Sequence, residues 1–394
     1  MSSRVLVQKF GGTSVATPDR RRLVLDHVAR ARGDGYRVAL VVSAMGRRGD
    51  PYATDTLLDL LRADGGEVDP ADHNMVFVTG EMIAVAVVSQ ALRRQGITPV
   101  PMSGVQARIY AEGHPLEAEV SEIDTTRLRR HLDRGEVPVV TGGQAAYRDT
   151  LDLATLGRGA SDTSGVALGV ALGAERVEIF TDVTGVASTD PRLVPHARWV
   201  RRASYARMHE LARFGARVVH PRAILAGWRG RTPVVVRSTF SLDPGTYIGD
   251  VDDEGPVLGV ATLAPMETVF AGDVNIAEEI RRDWERQRLV MCLRDRDTGG
   301  LVLGAPADKS GELDRTLAEA GLPTEGRRPG TAWVSIVGEP AALGARRARD
   351  EECLARAGVA CLYGERVPGR TTFVVQADGL RPAVSSLYDD LFPA

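Results

Sequence analysis

Lys9 is one of two lysines in a chain whose lysines and arginines total 49, the other being Lys309. Arginine serves at every other such position, so Lys9 marks a place where a planar guanidinium does not fit and a compact ammonium does, as in a phosphate contact within a tight pocket. It follows the apolar run Val5-Leu6-Val7 and opens the stretch Lys9-Phe10-Gly11-Gly12-Thr13-Ser14. Two adjacent glycines let the backbone approach a ligand, and Thr13 or Ser14 is placed to cap a helix expected over Arg20–Arg30, whose free N–H groups would face an anion. The plain alternative is a strand-turn-helix with a solvated lysine.

Three further loops rich in Gly, Asp and hydroxyls follow expected strands. The first runs from Ser43 through Gly46 toward Thr54, the second from Thr155 to Thr163, and the third from Thr181-Asp182 through Gly185 to Asp190-Pro191-Arg192. In the second, Gly157, Gly159 and Ser161 suit phosphate oxygens at a helix N-terminus, while Arg158 offers a bidentate grip on a carboxylate. Each alone reads as a capped turn. Together with Lys9 they make four anion-compatible loops on one sheet edge, where open α/β sheets bind ligands. The spacing Gly-x-Gly-x-x-Gly is absent from the Lys9 and Gly157 loops, and no Gly-Lys-Ser/Thr occurs, so neither a dinucleotide fingerprint nor a Walker loop accounts for them.

The elements that must position these loops alternate. Strands are expected at Val5–Val7, Val38–Val42, Thr98–Val100, Val137–Thr141, Val177–Thr181 and Pro233–Arg237, with helices at Thr54–Arg62, Met82–Arg94, Ser164–Leu172 and Ala206–Gly215. That order implies an α/β fold with a mostly parallel sheet covered on both faces. Turn-rich residues 243–256 end the pattern, and shorter units follow: a strand at Leu258–Leu263, a helix at Ile276–Gln287, strands at Leu289–Leu293 and Leu301–Leu303, a helix at Gly311–Ala320 and a strand at Ala332–Val337. A looser copy comes next, with helices at Arg346–Ala357 and Arg381–Asp390 around strands at Ala360–Tyr363 and Thr371–Gln376. The expected division is 1–250, 258–329 and 330–394, the last two being α+β ferredoxin-like modules.

Composition narrows the function classes. A net charge of -3 and a pI near 6.2 do not supply the basic excess of a nucleic-acid surface. Contiguous apolar runs such as Ile83–Val88 are too short for a membrane span, and the N-terminus leads into a strand without a signal-peptide core, so the expected setting is the cytoplasm. Cys292, Cys353 and Cys361 lack metal-ligand spacing and read as small buried hydrophobes.

In order along the chain, Lys9–Ser14, Val42–Asp59, Gly80-Glu81, Gly157–Asp162, Thr181–Gly185, Thr189–Arg192, His220-Pro221-Arg222 and Val236-Arg237-Ser238 resemble the aspartate kinases of the amino-acid kinase superfamily. The resemblance implies a three-layer αβα amino-acid kinase fold followed by tandem ACT-like modules, and transfer of the ATP γ-phosphoryl group, with Mg²⁺, to the side-chain carboxylate of L-aspartate. It implies that Lys9 and Asp162 serve the phosphoryl group and that Ser43, Thr54, Glu81, Arg158 and Ser161 hold the amino acid. Gly11, Gly12, Thr13, Ser14, Gly157, Gly159, Thr181, Asp182, Asp190, Arg192 and Arg217 would line the phosphates and nucleotide. It also implies a homodimer or higher homo-oligomer formed through the C-terminal modules.

The chemistry is self-consistent. A carboxylate with a pKa of about 4 is already ionised at neutral pH, so the nucleophile needs no general base. Glu81, in a Gly-Glu turn ahead of an apolar helix, reads alone as a helix-start carboxylate facing the dipole, and under the resemblance as the partner of the substrate ammonium. The chain departs from the family where Gly143-Gln144-Ala145 replaces the usual Phe-Gln-Gly, and where Ala160, Ala187 and Arg217 stand in place of Gly, Tyr and Lys. No Pro-Gly turn marks the first module, where Arg282, Trp284 and Arg286 occur instead. These departures motivate two alternatives: a kinase for another amino acid or carboxylate, and a weakly active regulatory or subunit-pairing relative.

Overall fold

Val5–Phe10 forms a fully buried strand, β1, and its period of two decides the layering of the chain's first half. The strands that follow are β2 (Arg37–Val42), β3 (Pro99–Met102), β4 (Ile109–Glu112), β5 (Glu119–Ile123), β6 (Val137–Thr141), β7 (Gln144–Ala146), β8 (Leu153–Thr155), β9 (Arg176–Thr181), β10 (Arg202–Ser204), β11 (Val234–Ser238) and β12 (Thr246–Gly249). The helices are α1 (Gly12–Val15), α2 (Pro18–Gly33), α3 (Thr54–Arg62), α4 (Pro70–Arg94), α5 (Thr126–Asp133), α6 (Ala160–Leu172), α7 (Tyr205–Arg213) and α8 (Pro221–Arg229). The computed structural model describes residues 4–63, 65–157, 159–272, 291–294, 301–322 and 326–393. The expected helix Ile276–Gln287, with Arg282, Trp284 and Arg286, lies outside them, as does Arg158.

Eight strands form one sheet in the order β10-β12-β11-β9-β1-β2-β6-β3, parallel throughout except that β12 runs against β11 and β10 runs with β12. Leu6, Phe10, Leu40 and Val42 point to one face, where they share a core with Val24 and Val28 of α2 and Ala84, Val85 and Val88 of α4. Lys9 and Val41 point to the other face, under α6: a Cβ at Gly165 would stand 3.2 Å from Lys9 Cβ and 3.9 Å from Val41 Cβ. One charge is sunk in the sheet. Glu178, 2% exposed, accepts from Gln8 Nε2 at 2.9 Å, Arg176 Nη2 at 2.9 Å and Arg237 Nη1 at 3.2 Å, which offsets the cost of burying it.

Several elements differ from those expected. Thr17, not Thr13 or Ser14, caps α2, its side chain accepting from Arg20 N with Pro18 following at the first helical position. Helix α4 begins at Pro70, twelve residues before Met82, because Asp69 caps it through Ala71 N at 2.8 Å. By length and composition α4 could cross a membrane; here it packs on α2, α3, β3 and β6. Helix α6 starts at Ala160 rather than Ser164. A second sheet, β5-β4-β7-β8, has strands of three to five residues, too short to leave a periodic signal.

The chain divides into two compact units. One comprises residues 1–186, 200–205 and 217–252, and the other 187–199, 206–216 and 253–394. The second is built on a six-stranded antiparallel sheet, from β13 (Val257–Gly272), β14 (Met291–Arg294), β15 (Leu301–Pro306), β16 (Arg327–Gly338), β17 (Cys361–Val367) and β18 (Arg370–Gln376), in the order β14-β15-β13-β16-β18-β17. It carries two apolar cores. Val269, Leu301, Leu303, Leu313 and Leu317 make one; Val260, Val334, Ile336, Phe373, Val384 and Leu387 make the other, joined by Val194. The long strand β13 contributes to both, through Val260 and Val269. Within this unit Arg370 lies 2.6 Å from Glu365, 3.2 Å from Glu210 and 3.9 Å above the Phe214 ring. Cys353 is buried there as expected, whereas Cys361 is exposed on β17.

Gly165 and Gly169, four residues apart on α6, let that helix lie close on the sheet. A Cβ at Gly169 would come within 2.2 Å of Val177 Cγ2. Gly169→Ala is therefore expected to cost about 1–3 kcal/mol by overpacking, read as a lowered midpoint in denaturant titration. An unchanged midpoint would mean that α6 can lift from β9 freely.

Candidate active site

At the C-terminal edge of the parallel strands, Lys9 Nζ lies 2.5 Å from Asp162 Oδ1, with side-chain exposures of 9% and 13%. The strand places Lys9 on the α6 face and the first turn of α6 presents Asp162 to it. Gly165, one turn further on, leaves room for the lysine stem, and Gly11 lies beside the ammonium, a Cβ there standing 3.9 Å from Nζ. The contact is one of charge to charge between two nearly buried groups. Asp162 Oδ2 accepts from His220 N at 3.4 Å.

Glu81 is not at a helix start. It sits in the middle of α4, 3% exposed, and Gln144 Nε2 donates to its Oε2 at 3.2 Å and to Val78 O at 3.2 Å. Burial pushes its carboxyl well above the ordinary value of 4.5, while Gln144 and the Lys9 charge pull the other way. Gln144 was not among the site residues expected from sequence; its place in Gly-Gln-Ala after a buried strand was the only cue. Ser43 Oγ donates to Ser161 Oγ at 2.8 Å, joining the loop after β2 to the first turn of α6. A Cβ at Gly142 would stand 2.5 Å from Ser161 Cβ, so the loop after β6 needs glycine to pass. Thr54 is the first residue of α3 and is half-buried.

The loop ahead of α6 uses Gly157 at φ 72° and Gly159 at φ 66°, left-handed values that favour glycine. His220 packs on Gly159 so closely that a Cβ there would be 2.1 Å from the imidazole Cδ2. Arg222 donates to Leu156 O at 2.9 Å and Ala118 O at 2.7 Å and so pins the entry to this loop. Both come from α8 and its cap, a helix not anticipated from sequence, although the His-Pro pair that starts it was noticed. Arg158 itself lies outside the described residues.

In the Lys9 loop, Gly12 approaches the loop after β2, a Cβ there meeting Ala44 O at 2.3 Å. Thr13 is partly exposed, but Ser14 turns inward and its hydroxyl is bonded to Thr239 Oγ1 at 2.7 Å. Thr181 Oγ1 donates to Asp182 Oδ1 at 3.2 Å, and Arg47 Nη2 lies 2.5 Å from Asp182 Oδ2 in an exposed pair, a cation sequence reasoning passed over. Arg217 is exposed in the turn between α7 and α8. Asp190 and Arg192 belong to the second unit, where they pair with each other at 2.6 Å.

Lys9, Asp162, Ser43, Ser161, Glu81 and the glycines of three loops therefore gather at one sheet edge in the first unit. The arrangement sets one ammonium among carboxylates, hydroxyls and closely approaching backbone, and so can neutralise an anionic group. Residues 4–238 match the amino acid kinase family. Aspartokinase 1 of Bacillus subtilis (strain 168) is 41% identical over 245 residues, 62% of this chain and 60% of that protein, and the aspartokinase of Mycolicibacterium smegmatis is 38% identical over 63% and 58%. The chain thus matches about three-fifths of the length of these relatives. The crystal structure of E. coli aspartokinase III in complex with aspartate and ADP superposes with a TM-score of 0.81 at 21% identity, covering 98% of this chain and 100% of that one, a likeness of fold. Aspartate kinase from Synechocystis gives a TM-score of 0.55 at 29% identity over 99% and 69%.

The raised Glu81 carboxyl has a stability consequence with a defined sign. Its contribution to the folded state is complete below the unfolded value and is lost as pH rises through the raised one. Without ligand, Glu81→Gln should melt with the wild type near about pH 4 and above it at higher pH. Melting temperatures across a pH series check this; parallel curves would mean that the Glu81 charge is solvated.

Proposed function

Because this chain belongs to the amino acid kinase family, we propose that it transfers the γ-phosphoryl group of ATP to the side-chain carboxylate of L-aspartate, giving 4-phospho-L-aspartate and ADP. The observation that carries this reading is the Lys9–Asp162 pair at the sheet edge, with a buried carboxylate, Glu81, close enough to feel the Lys9 charge. The names of the relatives support the choice of amino acid.

Glu81 receives the substrate ammonium, which compensates its buried charge and draws it to the ionised form. Ser43, Ser161 and Thr54 orient the amino acid, and Arg158, from its residue type, takes the carboxylate that does not react. The other carboxylate is ionised at neutral pH; one of its oxygens attacks the γ-phosphorus as the bridging oxygen to the β-phosphate leaves with the bonding pair. No proton needs to be removed. Lys9 shifts from Asp162 toward the transferring group and neutralises charge there, and Asp162 keeps the ammonium aligned. Gly11, Gly12, Thr13, Gly157 and Gly159 bring backbone close to the phosphates, with Ser14 holding the loop in shape. Thr181, Asp182 and Arg217 are assigned to the nucleotide.

Among the described residues no cluster of acidic, His or Cys side chains could hold a metal alone. Mg²⁺ carried on nucleotide phosphates needs no such cluster, only one or two carboxylates such as Asp162 beside it. When bound, the ion supplies charge neutralisation on the phosphates. We place the catalytic domain at 1–250 and ACT-like modules at 258–329 and 330–394, which pair subunits into a homodimer or larger assembly; the reaction's use of ATP fits the cytoplasm.

ATP-dependent hydroxamate formation across a panel of amino acids tests the substrate, with L-aspartate expected to exceed the others. Lys9→Arg is expected to lower kcat by at least about 10²-fold with folding intact, because charge placement supplies several kcal/mol. Near-normal turnover in that variant would remove Lys9 from the chemistry. Sedimentation of the full chain is expected to show a dimer or larger species, and a monomer would remove the pairing role of the modules.

A further inference from the structure

Phe77, Gly143 and Ala160 come from three separate elements and meet between the polar groups of the site. A Cβ at Gly143 would stand 2.7 Å from Ala160 Cβ, 3.3 Å from Phe77 Cζ and 3.4 Å from Phe77 Cε1. The methyl group of Ala160 and the ring of Phe77 thus close on the space that a side chain at 143 would take. Each of the three is tied to a polar site residue. Phe77 precedes Glu81 by four residues on α4 and shares its face. Gly143 lies between Gly142, which packs on Ser161, and Gln144, which donates to Glu81. Ala160 directly precedes Ser161. Gly143 itself is fixed by its N–H to Ser164 Oγ at 2.9 Å and its carbonyl to Leu156 N at 3.0 Å.

We propose that Phe77, Gly143 and Ala160 form one packed wall that limits the length of the amino acid accepted, with Phe77 as its specificity-determining residue. This rests on the amino-acid kinase reading above and deepens it. Glu81 holds the ammonium, so an acceptor anchored there has the Phe77 ring one helical turn away as its apolar boundary. The half-buried ring is steadied by stacking on His73, centroids 6.2 Å apart. Glycine at 143 is called for twice, by its left-handed φ of 72° and by the methyl group of Ala160. With the methyl group present at 160, a side chain at 143 is shut out; without it, the wall opens beside Ser161. An acceptor one methylene longer than aspartate must therefore displace Phe77 or pull away from Glu81.

The test uses the full-length wild type, Phe77→Ala, Ala160→Gly, Gly143→Ala and the double variant G143A/A160G, assayed for hydroxamate formation with L-aspartate and L-glutamate. Phe77→Ala is expected to raise KM for aspartate while KM for ATP stays within about two-fold, and to raise the glutamate-to-aspartate ratio of kcat/KM by about ten-fold, the scale of a one-methylene discrimination. Gly143→Ala is expected to lose more, and adding Ala160→Gly to recover at least about three-fold in kcat/KM, the signature of direct contact. An unchanged ratio and KM in Phe77→Ala would overturn the wall. Absence of turnover by the wild type with either amino acid would overturn the functional reading, and this inference with it; failure of the variants beside an active wild type overturns the inference alone.

Discussion

The site depends on one ion pair, Lys9 with Asp162, and on the geometry that lets it form where water is scarce. An ammonium at 9% exposure is costly unless an opposite charge meets it. The fold supplies that charge from the first turn of a helix lying across the end of the strand. Gly165 and Gly169 are what let the helix come so near, and Gly11 keeps side chains away from the ammonium. Substituting arginine would satisfy the charge but not the space. In a chain with only one other lysine, Lys309, this one stands where Gly11 and Gly165 crowd close to the side chain.

A second buried carboxylate sits within reach of the same positive charge. Glu81 has one hydrogen-bond donor, Gln144, and its carboxyl is held above the ordinary range. Glu81 and Asp162 thus face a single lysine, and burial favours the neutral form of the Glu81 carboxyl. Under the proposed function, a ligand that brings an ammonium group would draw Glu81 to its ionised form, which links recognition of an amino acid to the ionisation of Glu81.

Much of this was legible in the residues. The β1, β2, β6, β9 and β11 strands announced themselves as apolar runs, and the residues at their C-terminal ends were the candidate site. Longer-range features were not. Helix α4 hid its first three turns because Asn74, Val78 and Glu81 are buried on one side while Met75 and Met82 are exposed on the other, which blurs the polar-apolar period and made Glu81 look like a cap. The Phe77–Gly143–Ala160 contact joins residues far apart in sequence, and only the departures at 143 and 160 hinted at it. Arg222 was legible only as part of the His220-Pro221-Arg222 motif; its hold on two carbonyls of distant loops was not.

The second compact unit is not a simple C-terminal addition. Residues 187–199 and 206–216 belong to it although 200–205 and 217–252 return to the first. Ser188 Oγ is 2.9 Å from Tyr388 Oη, Arg198 N donates to the same oxygen at 2.8 Å, and Val194 lies in the core with Val384 and Leu387. A fragment ending at residue 252 would carry these two segments without the partners that cover them, stripping Val194 of its core and Phe214 of Arg370. Chimaeras spliced at that position with a relative's tail inherit the same mismatch. The natural unit of exchange is three stretches of chain taken together: 187–199, 206–216 and 253–394.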